Sequence, residues 1–131
     1  MIVVDTSVWI HALRSASGSE AIALRSLLDA DEVAVPAPVR SELLMGARTA
    51  DRAKLERGFK GLPLLYPTDE SWRTLDDWTR KASGAGLTFA IADLLIGVLT
   101  AEIDGLVWSK DGDFARMETL GLVHRFDVGG A

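Results

Sequence analysis

The 131-residue chain is 48% hydrophobic and 25% charged, apolar enough to build one sizeable core, which excludes a disordered chain and leaves little room for a second domain. It has no cysteine, so disulfides and thiolate metal sites are excluded and a reducing cytoplasm is the expected setting. Its formal charge of −5 argues against general affinity for nucleic acid, although a sum over the chain says nothing of local patches.

The chain begins with Ile2-Val3-Val4, a β-branched run suited to a strand buried on both faces, and passes directly into the helix-capping residues Asp5-Thr6-Ser7. No basic leader precedes this run, so no signal peptide is expected. Val8, Trp9, Ala12 and Leu13 form the apolar stripe of a first helix, and Glu20 to Asp29 reads as a second. Val33-Ala34-Val35 follows as a strand. Pro36 and Pro38 then suit the entry to a helix carrying Glu42 and stopping near Gly46, and Asp51 to Gly58 continues as a charged helix. Leu64-Leu65-Tyr66 is the third expected strand, Asp69 to Ser83 a helix closed by Gly84, and Ala90 to Ile103 an almost wholly apolar helix. Leu106-Val107-Trp108-Ser109 is the fourth strand. A short helix from Phe114 to Leu120 leads to a fifth, Val123-His124-Arg125-Phe126. Strands alternating with helices predict an α/β fold, a central parallel sheet of about five strands with helices on both faces, in one domain spanning 1–131. The longest apolar run, Leu87 to Ala101, is short for a bilayer and has Asp93 at its centre, so no membrane attachment is expected.

Asp93 is the sharpest chemical signal. An ionised carboxylate on a buried helix costs several kcal/mol unless it is paired or metal-bound, and no Arg or Lys lies one turn away. Ala90, Gly97 and Thr100 share its face and are small, leaving room for other backbone or an ion. Asp5 and Asp111 each follow a strand immediately, and in parallel sheets ligands bind beyond the carboxyl ends of the strands. With Glu42 they would form one acidic pocket, whose mutual repulsion calls for raised pKa values or a hard divalent cation such as Mg²⁺ or Mn²⁺. Zinc is disfavoured, since His11 and His124 stand in separate segments.

The order of these blocks resembles the PIN-domain ribonucleases, in particular the VapC-type toxins of toxin–antitoxin pairs. Ile2-Val3-Val4-Asp5-Thr6-Ser7 resembles the family's opening, Arg40-Ser41-Glu42-Leu43-Leu44 its second acidic block and Ala92-Asp93-Leu94 its third. Trp108-Ser109-Lys110-Asp111-Gly112-Asp113-Phe114 resembles its last. The segment from Ala85 to Phe89 has no counterpart. The resemblance implies metal-dependent hydrolysis of RNA phosphodiesters, with Mg²⁺ or Mn²⁺ held by Asp5, Glu42, Asp93 and Asp111, and with Asp113 either joining them or capping the following helix. Thr6, Ser7 and Ser109 are candidate donors that would orient the carboxylates or touch phosphate, with Ser7 put first by the resemblance, which also implies a structured substrate such as tRNA or ribosomal RNA, a cognate antitoxin and a toxin homodimer.

Read singly, Asp5 and Asp111 are ordinary helix caps and Glu42 an ordinary solvated residue; only their conjunction with Asp93 favours a site. Arg40, Arg48, Arg52, Lys54, Arg57 and Lys60, with Lys110 beside the acids, offer phosphate contacts, yet Asp51 and Glu56 interleave with the basic span as on a plain solvated helix. Trp9, Trp72, Trp78 and Trp108 are better explained by packing than by base stacking. Two rival functions are a phosphatase or phosphotransfer domain, against which Asp5-Thr6-Ser7 lacks a second acid, and a non-catalytic RNA- or protein-binding module, against which four intact acids argue.

Overall fold

The computed structural model describes residues 1–128. Four strands form one parallel sheet in the order β3-β2-β1-β4: β1 (Ile2–Val4), β2 (Val33–Pro36), β3 (Leu64–Leu65) and β4 (Leu106–Trp108). Among the described residues seven helices connect and cover them: α1 (Thr6–Arg14), α2 (Ser19–Asp29), α3 (Ala37–Gly46), α4 (Thr49–Phe59), α5 (Asp69–Gly84), α6 (Ile91–Glu102) and α7 (Gly112–Thr119). Successive residues of a strand point to opposite faces, so the complete burial of β1 and β2 means that both faces of the sheet are covered. This is the expected α/β architecture with one strand fewer.

The missing strand is the expected fifth one. Val123 to Phe126 touches the sheet through a single parallel bridge between Val107 and Arg125, where Val107 donates to His124 O at 3.0 Å and Phe126 donates to Val107 O at 2.8 Å. Leu122 and Val123 are buried, but His124 and Arg125 are exposed on both sides of the chain. The segment therefore contributes side chains to the core without extending the ladder. The other boundaries move by a few residues, as helix ends commonly do.

Chain direction sets where the site lies. The path steps outwards from β1 to β2 to β3 and then returns to place β4 on the other side of β1. The topological switch therefore falls between β1 and β4, whose register pairs Val4 with Trp108, so both strands end side by side.

The α6 helix packs through the middle of the molecule, with Leu94 to Thr100 all buried. Its small residues serve packing and not an ion. A Cβ at Gly97 would meet Trp78 Cζ3 at 3.1 Å, Met117 Sδ at 3.2 Å and Val123 Cγ1 at 3.3 Å, and the Thr100 hydroxyl donates to Ile96 O at 2.7 Å within its own helix. Gly97→Ala should accordingly destabilise the fold by a net ~1 kcal/mol in urea unfolding, because overpacking against the Trp78 ring outweighs the gain in helix propensity. A more stable variant would show that these three side chains yield.

Candidate active site

Asp5 leaves β1 with its backbone still in the sheet: its N–H donates to Trp108 O at 2.9 Å, while its carbonyl accepts from Val8 and Trp9 to begin α1. The side chain does not cap that helix. Instead Asp5 is buried, 5% exposed, and its Oδ2 accepts from Ser109 Oγ at 2.7 Å and Ser7 Oγ at 3.0 Å. Each hydroxyl has one proton, given to Asp5, and spends its lone pairs on the next turn. Ser7 Oγ accepts from Lys110 N at 3.0 Å and Ser109 Oγ from Asp111 N at 2.9 Å. Two serines thus join the end of β1 to the segment that carries the next acids.

That segment is tightly folded. Asp111 caps α7, accepting from Asp113 N at 2.9 Å, and Asp113 pairs with Arg116 Nη1 at 2.6 Å. Asp93, in the first turn of α6, completes the group: one carboxylate oxygen from each of Asp93, Asp111 and Asp113 lies within 4.8 Å of the others. Burial pushes the Asp93 carboxyl up to about 7, and the negative charges of Asp111, Asp5 and Asp113 add to the shift. A position in the first helical turn ordinarily favours a carboxylate. Here desolvation and like charge overrule that preference.

Glu42, on α3, lies close enough to Asp5 to feel its charge. Burial raises its pKa first, the Asp5 charge adds to it, and a 3.3 Å hydrogen bond from Thr6 Oγ1 opposes both. Asp5 thus lies electrostatically between Glu42 and Asp93, and the tightest oxygen set is the one built by Asp93, Asp111 and Asp113. Asp113, given only an optional place by the sequence, is the third member of that set, whereas Asp5 and Glu42 stand outside it. The donor set is all oxygen and rich in negative charge, which fits a hard divalent cation of the Mg²⁺ or Mn²⁺ type and not a soft metal.

The basic residues divide. Arg48 is paired with Asp51 at 2.9 Å, and Arg52 donates to Leu44 O at 3.2 Å. Lys110 Nζ is engaged by Glu20 Oε1 at 2.7 Å, and that hydrogen bond is the main reason the Glu20 carboxyl is held down at about 2. Arg40 has no hydrogen-bonded or ion-paired partner among the described residues. Of the tryptophans, Trp9, Trp78 and Trp108 are core residues, and Trp72 is 45% exposed. Glu20 and Arg116 were not singled out by sequence. The i,i+3 spacing of Asp113 and Arg116 is a legible signal, whereas Glu20 and Lys110 lie 90 residues apart and leave none.

An apolar groove of about 590 Å³ opens beside Glu42, between α1, α3 and α4. Trp9, Leu13 and Leu43 line it together with the basic residues Arg14, Arg48 and Lys54 and the acids Glu42 and Asp51.

The PIN domain family pattern matches residues 2–120. Ribonuclease VapC11 of Mycobacterium tuberculosis is 34% identical over 119 residues, covering 87% of this chain and 89% of that protein. Among solved structures, VapBC2 from Rickettsia felis bound to a promoter DNA fragment superposes with a TM-score of 0.77 at 16% identity, over 96% of this chain and 98% of that one. The sarcin-ricin-loop-cleaving toxin VapC20 of M. tuberculosis gives 0.65 at 20% identity, over 88% and 94%. The strand-end acids, the matched span and the identity to a VapC ribonuclease lead to one conclusion: the chain belongs to the PIN-domain family, among the VapC ribonucleases.

Proposed function

We propose that this chain is a divalent-metal-dependent endoribonuclease and the toxin of a toxin–antitoxin pair, acting as one domain. The observation that carries the reading is the convergence of Asp93, Asp111 and Asp113 at the switch point, with Asp93 raised to about 7 by burial and then by the neighbouring carboxylates. Asp93, Asp111, Asp113 and Asp5 would hold Mg²⁺ or Mn²⁺, with Glu42 on the flank towards the groove. When bound, such an ion acidifies water and offsets the charge that grows on the phosphate. The chain's own residues do the positioning. Ser7 and Ser109 fix the Asp5 carboxylate through two donated hydrogen bonds, and the Asp111 cap fixes α7 and with it Asp113. Arg116 balances part of the acidic charge at the pocket edge. Of the candidates Arg40, Arg48, Arg52 and Lys110, Arg40 is the proposed phosphate contact, since the other three are already engaged.

In the same reading the RNA is structured, a tRNA or ribosomal RNA, the toxin is a homodimer, and the cognate antitoxin lays an amphipathic segment in the groove beside Glu42. The groove's apolar lining with Arg14 and Lys54 along it suits apolar anchors flanked by acidic residues. The test is cleavage of total RNA by the purified full chain with Mg²⁺, Mn²⁺ or EDTA. Cuts at discrete positions that require the metal are expected; intact RNA under every metal, with antitoxin-free protein confirmed, would overturn the proposal.

A further inference from the structure

The segment Ser109-Lys110-Asp111 carries one of the proposed metal-binding acids and has two sets of anchors. The inner set is the pair of serine hydroxyls already described, which hold the backbone N–H groups of Lys110 and Asp111. The outer set is a side-chain contact to an element distant in sequence. Lys110 Nζ reaches α2, where Glu20 Oε1 accepts from it at 2.7 Å. The other oxygen of the Glu20 carboxylate, Oε2, accepts from Ser19 Oγ at 3.1 Å, and His11 Nε2 of α1 stands 3.4 Å from it. Its side chain is 23% exposed, less than that of either Lys110 or His11. The contact therefore differs from the i,i+3 pairs on α4 and α5, which link neighbours on a single helix: Glu20 joins α1, α2 and the turn after β4.

We propose that Glu20 is a positioning residue of the active site, which fixes the Ser109–Asp113 turn by holding the Lys110 ammonium on its outer side and so sets where Asp111 stands relative to Asp5 and Asp93. The inference rests on the nuclease reading above. Physically, the inner anchors fix the height of the turn over β1, since both hydroxyls hang from Asp5. They leave its outer side to whatever holds the one long side chain projecting from it. Glu20 is the group that does so, and it is carried on a helix of eleven residues packed against α1. A carboxylate already held by Ser19 on its other oxygen loses little further side-chain entropy in meeting Lys110, which makes this pair a better clamp than a typical surface ion pair. The small worth of any exposed pair limits the effect to several-fold and not to a loss of folding.

The experiment is a double-mutant cycle in the full chain with Glu20→Ala, Lys110→Ala, both together, and Glu20→Gln as the conservative variant, whose amide oxygen still accepts from Lys110. Three readouts are taken: kcat and KM for RNA cleavage, Mn²⁺ affinity by electron paramagnetic resonance on the free protein, and the melting temperature. Each single alanine variant should lower kcat about fivefold and weaken Mn²⁺ binding by a similar factor, with KM within about twofold and melting within a few degrees. The double variant should be no worse than either single, because both remove the same contact, and Glu20→Gln should recover most of the loss. Unchanged kcat and Mn²⁺ affinity would overturn the proposal, as would additive losses. A KM that falls in Glu20→Ala while kcat holds would also overturn it, since the pair would then only be keeping Lys110 from the RNA. If the wild-type chain cuts no RNA, the nuclease reading fails, and the Mn²⁺ arm still decides whether Glu20 positions the acids.

Discussion

Asp93→Asn should reduce RNA cleavage by about a hundred- to a thousandfold, the order lost when a charge-stabilising group is removed from a reacting centre, and should at the same time make the metal-free protein more stable at alkaline pH. The two effects have one cause. The Asp93 carboxyl titrates near 7 in the fold, against 3.8 for an ordinary aspartate, chiefly because burial strips its water and next because Asp111 lies close. Between those two values the folded protein keeps a proton that the unfolded chain has released, so stability falls as pH rises through this window and stays low above it. Asparagine never ionises and removes that loss. The full shift would correspond to several kcal/mol, but the group is partly solvated, so screening reduces the expected gain to about 1–2 kcal/mol at pH 8. At pH 4 and below the variant and the parent should melt alike. Thermal melts in EDTA at the two pH values read the difference. Equal melting at pH 8, or a less stable variant, would show that Asp93 is compensated in the fold and does not need a cation.

The architecture and the approximate site were legible because they rest on local chemistry. Ile2-Val3-Val4 running into Asp5 can hardly be anything but a buried strand ending in an acid, and Asp93 stands out against its apolar helix without any knowledge of the fold. The fifth strand misled because Val123 and Phe126 carry strand-like side chains, yet a ladder depends on backbone register, and the described chain bonds to the sheet only around Val107. The small face of α6 misled in the same way: Gly97 signals close approach, but sequence does not say whether an ion or Trp78 arrives there. The rank order of the acids was hidden for a different reason. Whether Asp113 or Glu42 completes the oxygen set depends on the direction in which α3 and α7 leave the sheet edge, a property of packing between elements. The Lys110 ammonium was expected beside phosphate because its sequence neighbours are acids, and only the docking of α2 shows it held by Glu20.

Adding Mg²⁺ or Mn²⁺ should stabilise the parent protein strongly at pH 8 and only about a third as much at pH 5.5. At a hundredfold excess over its dissociation constant, a ligand that binds only the folded state adds about 2.7 kcal/mol, which for a domain of this size raises the melting temperature by roughly 8–12 °C. Coordination requires the Asp93 carboxylate, so at pH 5.5 the ion must first displace a proton held with a pKa of about 7. That competition weakens binding about thirtyfold, or about 2 kcal/mol, and removes most of the stabilisation. The same linkage means that binding near pH 6 should release close to one proton per cation, which calorimetry in buffers of different ionisation enthalpy can count. Asp93→Asn should show neither the melting shift nor the proton release. A shift of equal size at both pH values, or one that survives in the variant, would place the cation elsewhere on the protein. The raised pKa of Asp93 would then be a cost that the fold tolerates for some purpose other than metal.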